Sequence, residues 1–308
     1  MPLFLNTYRI NCVRRVSSML VKLFNILSSG LIMGGVYAII AMGMSIQYGV
    51  ARILNVSHGE FIMVGAFLTF MLVKLHVNPL LAMVIISPAM FLVGFVLHRT
   101  VYKKLSDVSG SASTFESNSM LISFGLMFVL QNIGLQVWGS QQQAYPFLLT
   151  SVRILGTAIA LNRMVVLLFA VAISLLFYLY LQKTRLGKAI RAVSQDAGSA
   201  ALMGIKTHRV GAISFGIGAV LAGCAGSLIS IINQFNTSMG MSYTIIAIIV
   251  VVLGGMGSVL GSLLGGFILG FIGTLVNYID PSLSLVAYYL IIIVLLLVKP
   301  SGLMGEKS

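Results

Sequence analysis

The chain has 308 residues, of which 58% are hydrophobic and only 8% charged, with a mean hydropathy of +1.05. Soluble domains carry about 25% charged residues, so this chain cannot cover a globule with charge, and its composition is that of a polytopic integral membrane protein. Lys and Arg total 19 against 6 acids, a net charge of +13. These basic residues sit between apolar blocks and form no stripe interleaved with exposed aromatics, which excludes nucleic acid as a partner and assigns them to loops held on one side of a membrane.

In chain order, the stretch from Asn6 to Lys22 is polar and basic, carrying Arg9, Arg14, Arg15 and Lys22. No small-residue cleavage site follows a short apolar run, and Cys12 lacks the neighbours of a lipid attachment site. Residues 1–22 read as a basic N-terminal extension that the working protein can dispense with, Met19 offering a cleaner start. From there to 300 the chain reads as a single transmembrane domain, and 301–308 as a tail.

The apolar runs are long and continuous, whereas a membrane strand would alternate. A hydrocarbon core of about 30 Å needs about 20 apolar residues as helix, with every backbone group satisfied internally. The runs are Leu23–Gly49, Phe61–Val77, Leu80–Leu97, Met120–Trp138, Met164–Leu181, Val210–Ile232, Tyr243–Met256, Val259–Val276 and Leu283–Val298. The fold class is therefore all-α, a transmembrane bundle of about eight to ten helices. Glycine interrupts at Gly34-Gly35 and at Gly254-Gly255-Met256-Gly257.

Loop charge orients the bundle. Lys183, Arg185, Lys188, Arg191, Lys206 and Arg209 crowd the connector 182–209, and Arg99, Lys103 and Lys104 lie in 98–119. The positive-inside bias places both loops and the C-terminus in the cytoplasm. A single first span then leaves the basic N-terminus outside, against the same bias. Either the first block turns back at Gly34-Gly35, or the leading residues are not part of the working protein.

Enzyme chemistry finds no footing. Gly187-Lys188 is followed by Ala189 and lacks the upstream Gly of a phosphate-cradling loop. His58, His76, His98 and His208 have no ligand spacing, and no acid falls at mid-span. Metal and cofactor are expected to be absent. The polar stretch Asn55-Val56-Ser57-His58-Gly59-Glu60 has the S-x-x-E spacing of a capping box, with Ser57 and Glu60 closing the start of the next helix. The alternative is a polar elbow on a transport path, since ionisable groups at membrane depth are expensive and functional. Gln47, Gln131, Asn132 and Asn233 read as bridges between helices.

The connector is the most informative segment. Ala189, Ile190, Val193, Ala197, Ala200, Ala201 and Leu202 fall at helical spacing, while Arg191, Gln195 and Asp196 face away. Such a short helix suits insertion into a groove on another protein.

At this point the chain resembles the permeases of ABC importers, specifically the branched-chain amino acid type (the first of two permease subunits). The resemblance is carried by the connector, by Gly34-Gly35-Val36-Tyr37-Ala38, by Asn55 to Phe61, by Leu221 to Gly226, by Val252 to Ser258, and by the tail Lys299 to Gly305. It implies a chain without catalytic activity, paired with a second permease subunit, two ATP-binding subunits and an external solute-binding protein in the inner membrane. It also implies that Ala189, Arg191, Gln195, Asp196, Ala200, Ala201 and Gly204 dock on the ATPase. Gly34, Tyr37, Asn55, His58, Glu60, Gly254, Gly255 and Gly257 are the candidates for the translocation path or for helix breaks along it. The chain departs from the family pattern at Ser238, Ile246 and Gly273, which leaves the substrate open among branched-chain and other amino acids, amides and urea. A stand-alone secondary transporter is the contrasting expectation.

Overall fold

The structure is a computed structural model describing residues 2–154, 157–299 and 301–304. The side chains of residues 2–20 and the whole of 305–308 lie outside the description, and with them the reading of 1–22 as a dispensable extension.

Helix α1 runs over Pro2–Ala51, α2 over His58–Lys74 and α3 over Pro79–Leu97, where a single π turn, His98–Tyr102, leads into α4, Lys103–Val108. Helix α5 follows (Ala112–Trp138), then a two-stranded antiparallel hairpin of β1 (Ser151–Ile154) and β2 (Thr157–Ala160). Helix α6 (Leu161–Lys183) leads to the connector helices α7 (Arg185–Gln195) and α8 (Ala197–Leu202). The last four are α9 (Thr207–Ile232), α10 (Met239–Gly254), α11 (Val259–Ile279) and α12 (Ser284–Val298). Local chemistry sets many of these boundaries. Asn78 accepts from the Leu80 amide with Pro79 at the first helical position of α3, Ser111 caps α5 through Thr114, and Ser258 caps α11 through Gly261.

Among the described residues, 7 helices are long and apolar enough to cross a membrane: the Val21–Ala51 part of α1, the α3–α4 unit, α5, α6, α9, α11 and Pro281–Val298. The nine apolar blocks thus resolve into these spans plus two shorter helices, α2 with 17 residues and α10 with 16. The hairpin is an addition that continuous apolar runs do not signal.

A second correction concerns α1, which passes through Gly34-Gly35 without a break. The two glycines are packing surfaces. A Cβ on Gly34 would strike the backbone of Phe267, and one on Gly35 would meet Ala170. The turned-back first block is therefore excluded.

Glycine contacts of this kind organise the whole bundle, because apolar side chains gain little by leaving lipid for one another and close backbone approach decides association. Helix α11 lies antiparallel on α1, with Gly270 against Gly34 and Gly266 against Ala38, and Gly257 in the turn before it lies against Gly49. Helix α3 lies antiparallel on α9 in the same manner, with Gly223 against Met90, Gly94 against Ala219 and Gly216 against Phe91. The units α1–α2–α3 and α9–α10–α11 therefore repeat one arrangement with opposite polarity. In each, a long helix is followed by a short one that starts inside the bundle.

Candidate translocation and coupling sites

The end of the bundle carrying the connector, α4 and the last residues of α1 and α10 is called here the basic face, and the opposite end the far face. Helix α1 reaches the basic face at Ala51. Arg52, with φ of 54°, reverses the chain, and residues 53–57 re-enter the bundle in non-helical form. His58, at the start of α2, then sits beside Ile40 of α1, its Nε2 3.1 Å from the Ile40 carbonyl. Ile40 lies eleven residues before the end of α1, about 16 Å at helical rise, or half the thickness of a hydrocarbon core. Helix α2 thus starts near mid-depth.

The second repeat does the same from the other side. Residues 233–238 drop back from the far end of α9, and α10 starts beside α2. The two short helices meet at their first turns: a Cβ on Gly59 would strike the Gly240 carbonyl, and one on Gly240 would strike the Glu60 carboxyl. No other residue type allows that approach.

Unwound backbone at such depth is tolerated only when the protein itself satisfies it. Thr244 of α10 accepts from the Gly59 amide at 2.9 Å and donates to the Val56 carbonyl at 3.0 Å. The Val56 amide donates to Ser123 Oγ of α5 at 3.1 Å. Asn55 donates to Gln47 at 3.1 Å, Gln47 donates to the Phe215 carbonyl of α9 at 3.2 Å, and Asn55 Oδ1 accepts from both the amide and the hydroxyl of Ser57. In the second segment, Phe235 exchanges both backbone bonds with Gln143, and Thr237 donates to the Gly139 carbonyl. Phe235 is also packed edge-on against Phe67, which stacks on Trp138.

Both re-entrant segments end in one turn. Asn236 Oδ1 accepts from the Ser238 amide at 3.1 Å, as Asn55 Oδ1 does from Ser57 at 3.2 Å. The matching residues, Asn55-Val56-Ser57-His58-Gly59 and Asn236-Thr237-Ser238-Met239-Gly240, form an N-x-S-x-G repeat that was legible in the chain and was missed. The same offset aligns Gly30 with Gly211 and Gly35 with Gly216. Thr244 and Ser123 had no signal at all, because a lone hydroxyl in an apolar run looks like any other.

The capping box expected of Ser57 and Glu60 is absent. Ser57 caps nothing with its side chain, its hydroxyl going to Asn55, and both Glu60 oxygens are buried without a hydrogen-bond partner. Glu60 instead fills the junction of the two short helices against Gly240. The positive ends of both helix dipoles converge there, which favours negative charge. The expectation of no acid at mid-span is corrected by the same observation, since re-entry carries Glu60 from an apparent loop to mid-depth. Tyr37 is buried on α1 near Tyr243 and Tyr288. Gly273 abuts the Tyr288 hydroxyl and leaves no space for a longer side chain.

Gly254, Gly255 and Gly257 lie at the basic face, remote from this junction. Helix α10 ends at Gly254, and the chain turns through Gly255 (φ 100°) and Gly257 (φ 85°) against Gly49. Leu303 and Met304 fold back to donate to the last carbonyls of α10, at Leu253 and Gly254.

The connector forms two helices where one was expected. Asp196 is the break: its carboxylate accepts from the Gly198 amide and the Ser199 hydroxyl and so starts α8. Helix α7 is strongly amphipathic, burying Gly187, Ile190 and Val193 against the bundle while Arg191 and Gln195 face out. Ala189 is half-buried, and of the α8 residues only Ala200 is buried. Ala201 and Gly204 are exposed, with Leu202 91% and Met203 84% exposed between them.

Paired short helices meeting inside a glycine-packed bundle, with a surface connector at one end, define a multi-pass membrane permease. The family described as the permease component of branched-chain amino acid transport systems matches residues 26–298, and the chain belongs to it. It is 29% identical over 301 residues to the high-affinity branched-chain amino acid transport permease BraD of Pseudomonas aeruginosa, covering 92% of this chain and 95% of that one. Against LivH of Escherichia coli K12 the identity is 29% over 300 residues, 91% and 94% of the two chains. Against the probable LivH of Methanocaldococcus jannaschii it is 26% over 240 residues, 75% and 74%. No solved structure matches the chain.

Proposed function

We propose that this chain is one of two permease subunits of an ATP-driven importer for branched-chain or other small amino acids. An external solute-binding protein delivers the solute at the far face, and two ATP-binding subunits engage the basic face. The basic face is then cytoplasmic, placing loops 98–119 and 182–209 and the C-terminus inside the cell, in accord with the positive-inside bias. The observation that carries this reading is the pairing of a re-entrant core with a handle on the surface. Two short helices meet on glycines at mid-depth, while α7 is seated on the bundle by Ile190 and Val193 and presents Leu202 and Met203 bare beyond it. A helix pair seated on one protein with an apolar tip free for another is suited to transmit a push. Ala189, Arg191, Gln195, Asp196, Ala200, Ala201 and Gly204 belong to that handle.

The second permease subunit is proposed to cover α5. That helix exposes Asn118, Gly125, Asn132 and Gln136 along one side, with nothing near Gly125. Polar side chains facing outward at membrane depth call for protein or a water-filled path in place of lipid. Gly34, Tyr37, Asn55, His58 and Glu60 support the moving core from within the subunit, and Gly254, Gly255 and Gly257 turn the chain at its basic-face end.

A second reading, a stand-alone secondary transporter, is favoured by one observation, the buried and unpartnered Glu60, a group of the kind that couples uptake to protons or ions. Urea or short amides are the alternative cargo within the importer reading. Reconstituting the chain with its partners in liposomes separates these readings. ATP-dependent uptake of leucine, lost in Leu202→Asp/Met203→Asp together with co-purification of the ATPase, is the expected result. Uptake by this chain alone under a proton gradient would overturn it.

A further inference from the structure

A cavity of about 290 Å³ opens at the basic face where α1, α4, α5, the connector and α9 come together. Arg52 and Lys103 supply two cations to its wall, His208 a third basic side chain, and no Asp or Glu lines it. The first turns of two long helices also form its wall, Ser111 and Ala112 for α5 and Thr207 and His208 for α9. Helix α9 starts without any side-chain cap, so its leading amides are left to another acceptor.

Two further observations point to a ligand. His98 and Tyr102 line the cavity and are 6% and 1% exposed, yet the Nδ1 of His98 and the hydroxyl of Tyr102 have no hydrogen-bond partner. A buried polar atom left unpaired is costly, and both atoms belong to residues of the wall of this basic cavity. Arg52 is moreover held at φ 54°, a conformation unfavourable for a long side chain and characteristic of functional sites.

We propose that this cavity binds a phosphate oxyanion. Its donors are all positive or neutral, its volume suits a phosphate group with a few attached atoms, and Arg52 and Lys103 present the charge-assisted donors that phosphate prefers. The source is either the headgroup of an anionic phospholipid or a soluble phosphate; basic pockets at the membrane surface take the former readily. Val193 of α7 and Ala197 of α8 form part of the same wall. An occupant therefore ties the connector to α1 and α9, and its binding is linked to the position of the connector.

The test uses the full chain purified in detergent and stripped of lipid. One arm adds dioleoylphosphatidylglycerol or dioleoylphosphatidylcholine and counts bound lipid by native mass spectrometry. The other adds inorganic phosphate against chloride at equal ionic strength and reads the thermal midpoint. Selective retention of the phosphatidylglycerol over the phosphatidylcholine, or a rise in midpoint with phosphate alone, supports the site and names its source. Lys103→Gln and Arg52→Asn, the latter chosen to keep the backbone turn, are expected to weaken binding roughly tenfold. Lys104→Gln removes the same charge from a neighbour outside the cavity and is expected to change nothing. Failure of both probes, or equal weakening by Lys104→Gln and Lys103→Gln, would overturn the proposal.

Discussion

Thr244 holds two backbone groups that have no other recourse. Its hydroxyl accepts from the Gly59 amide and donates to the Val56 carbonyl, at the point where α2 begins without a side-chain cap of its own. Thr244→Val keeps the shape and removes both bonds, leaving a donor and an acceptor unpaired inside the protein. The expected destabilisation is about 1–3 kcal/mol, measured by unfolding in mixed detergent, with Thr244→Ser restoring most of it. Asp196 belongs to the same scale but lies in water. The Ser199 hydroxyl, then the Ser199 and Gly198 amides, hold its carboxyl below the ordinary carboxylate value. A carboxyl depressed in the folded chain stabilises it at neutral pH, and the contribution is lost as pH falls through its folded value. Protection factors of the α8 amides, taken against the intrinsic exchange rate at each pH, are therefore expected to fall on acidification, and Asp196→Ala is expected to lower them at pH 7 and flatten their change with pH.

At the scale of elements, glycine decides which helices can touch. A Cβ on Gly226 would strike the Ile62 carbonyl where α9 crosses α2, whereas Gly125 of α5 has nothing within reach. Overpacking a close crossing costs about 1–3 kcal/mol. Gly226→Ala is accordingly expected to lower the thermal midpoint of the isolated chain, while Gly125→Leu leaves it unchanged. If the second permease covers α5, Gly125→Leu instead reduces co-purification of that subunit, and an unaltered yield would exclude this face as the interface. The same element-level geometry explains why the short helices α2 and α10 look like full spans in the sequence. Phe61–Val77 and Tyr243–Met256 are apolar enough, but α2 and α10 begin inside the bundle, and only their neighbours show where they begin.

For the whole molecule, the inverted repeat reconciles an odd topology. One long helix of each unit enters from the opposite side, and each is followed by a re-entrant segment ending in an Asn-x-Ser turn. The expected sidedness is checked with a single Cys at Asp107 in a background lacking Cys12 and Cys224. A membrane-impermeant maleimide should label it in inside-out vesicles and leave intact cells unlabelled; labelling from outside would reverse the orientation and exclude the proposed docking of an ATPase on the basic face.

Composition and pattern by themselves determined the class: runs of apolar residues too long for any soluble core, basic loops at one end, and a connector whose small residues recur at helical spacing. These properties are local, since transfer of a helix into lipid depends on its own side chains and on its length. What only the tertiary structure decided is depth and partnership. Gly34 became a packing surface instead of a break because Phe267 lies against it, and Ser57 was drawn from its expected cap by Asn55. Glu60 moved from a loop to the meeting point of two helix starts because five non-helical residues carried it there. A hydrogen bond or a close approach between residues far apart along the chain depends on where other helices stand, and no window of adjacent residues contains that information.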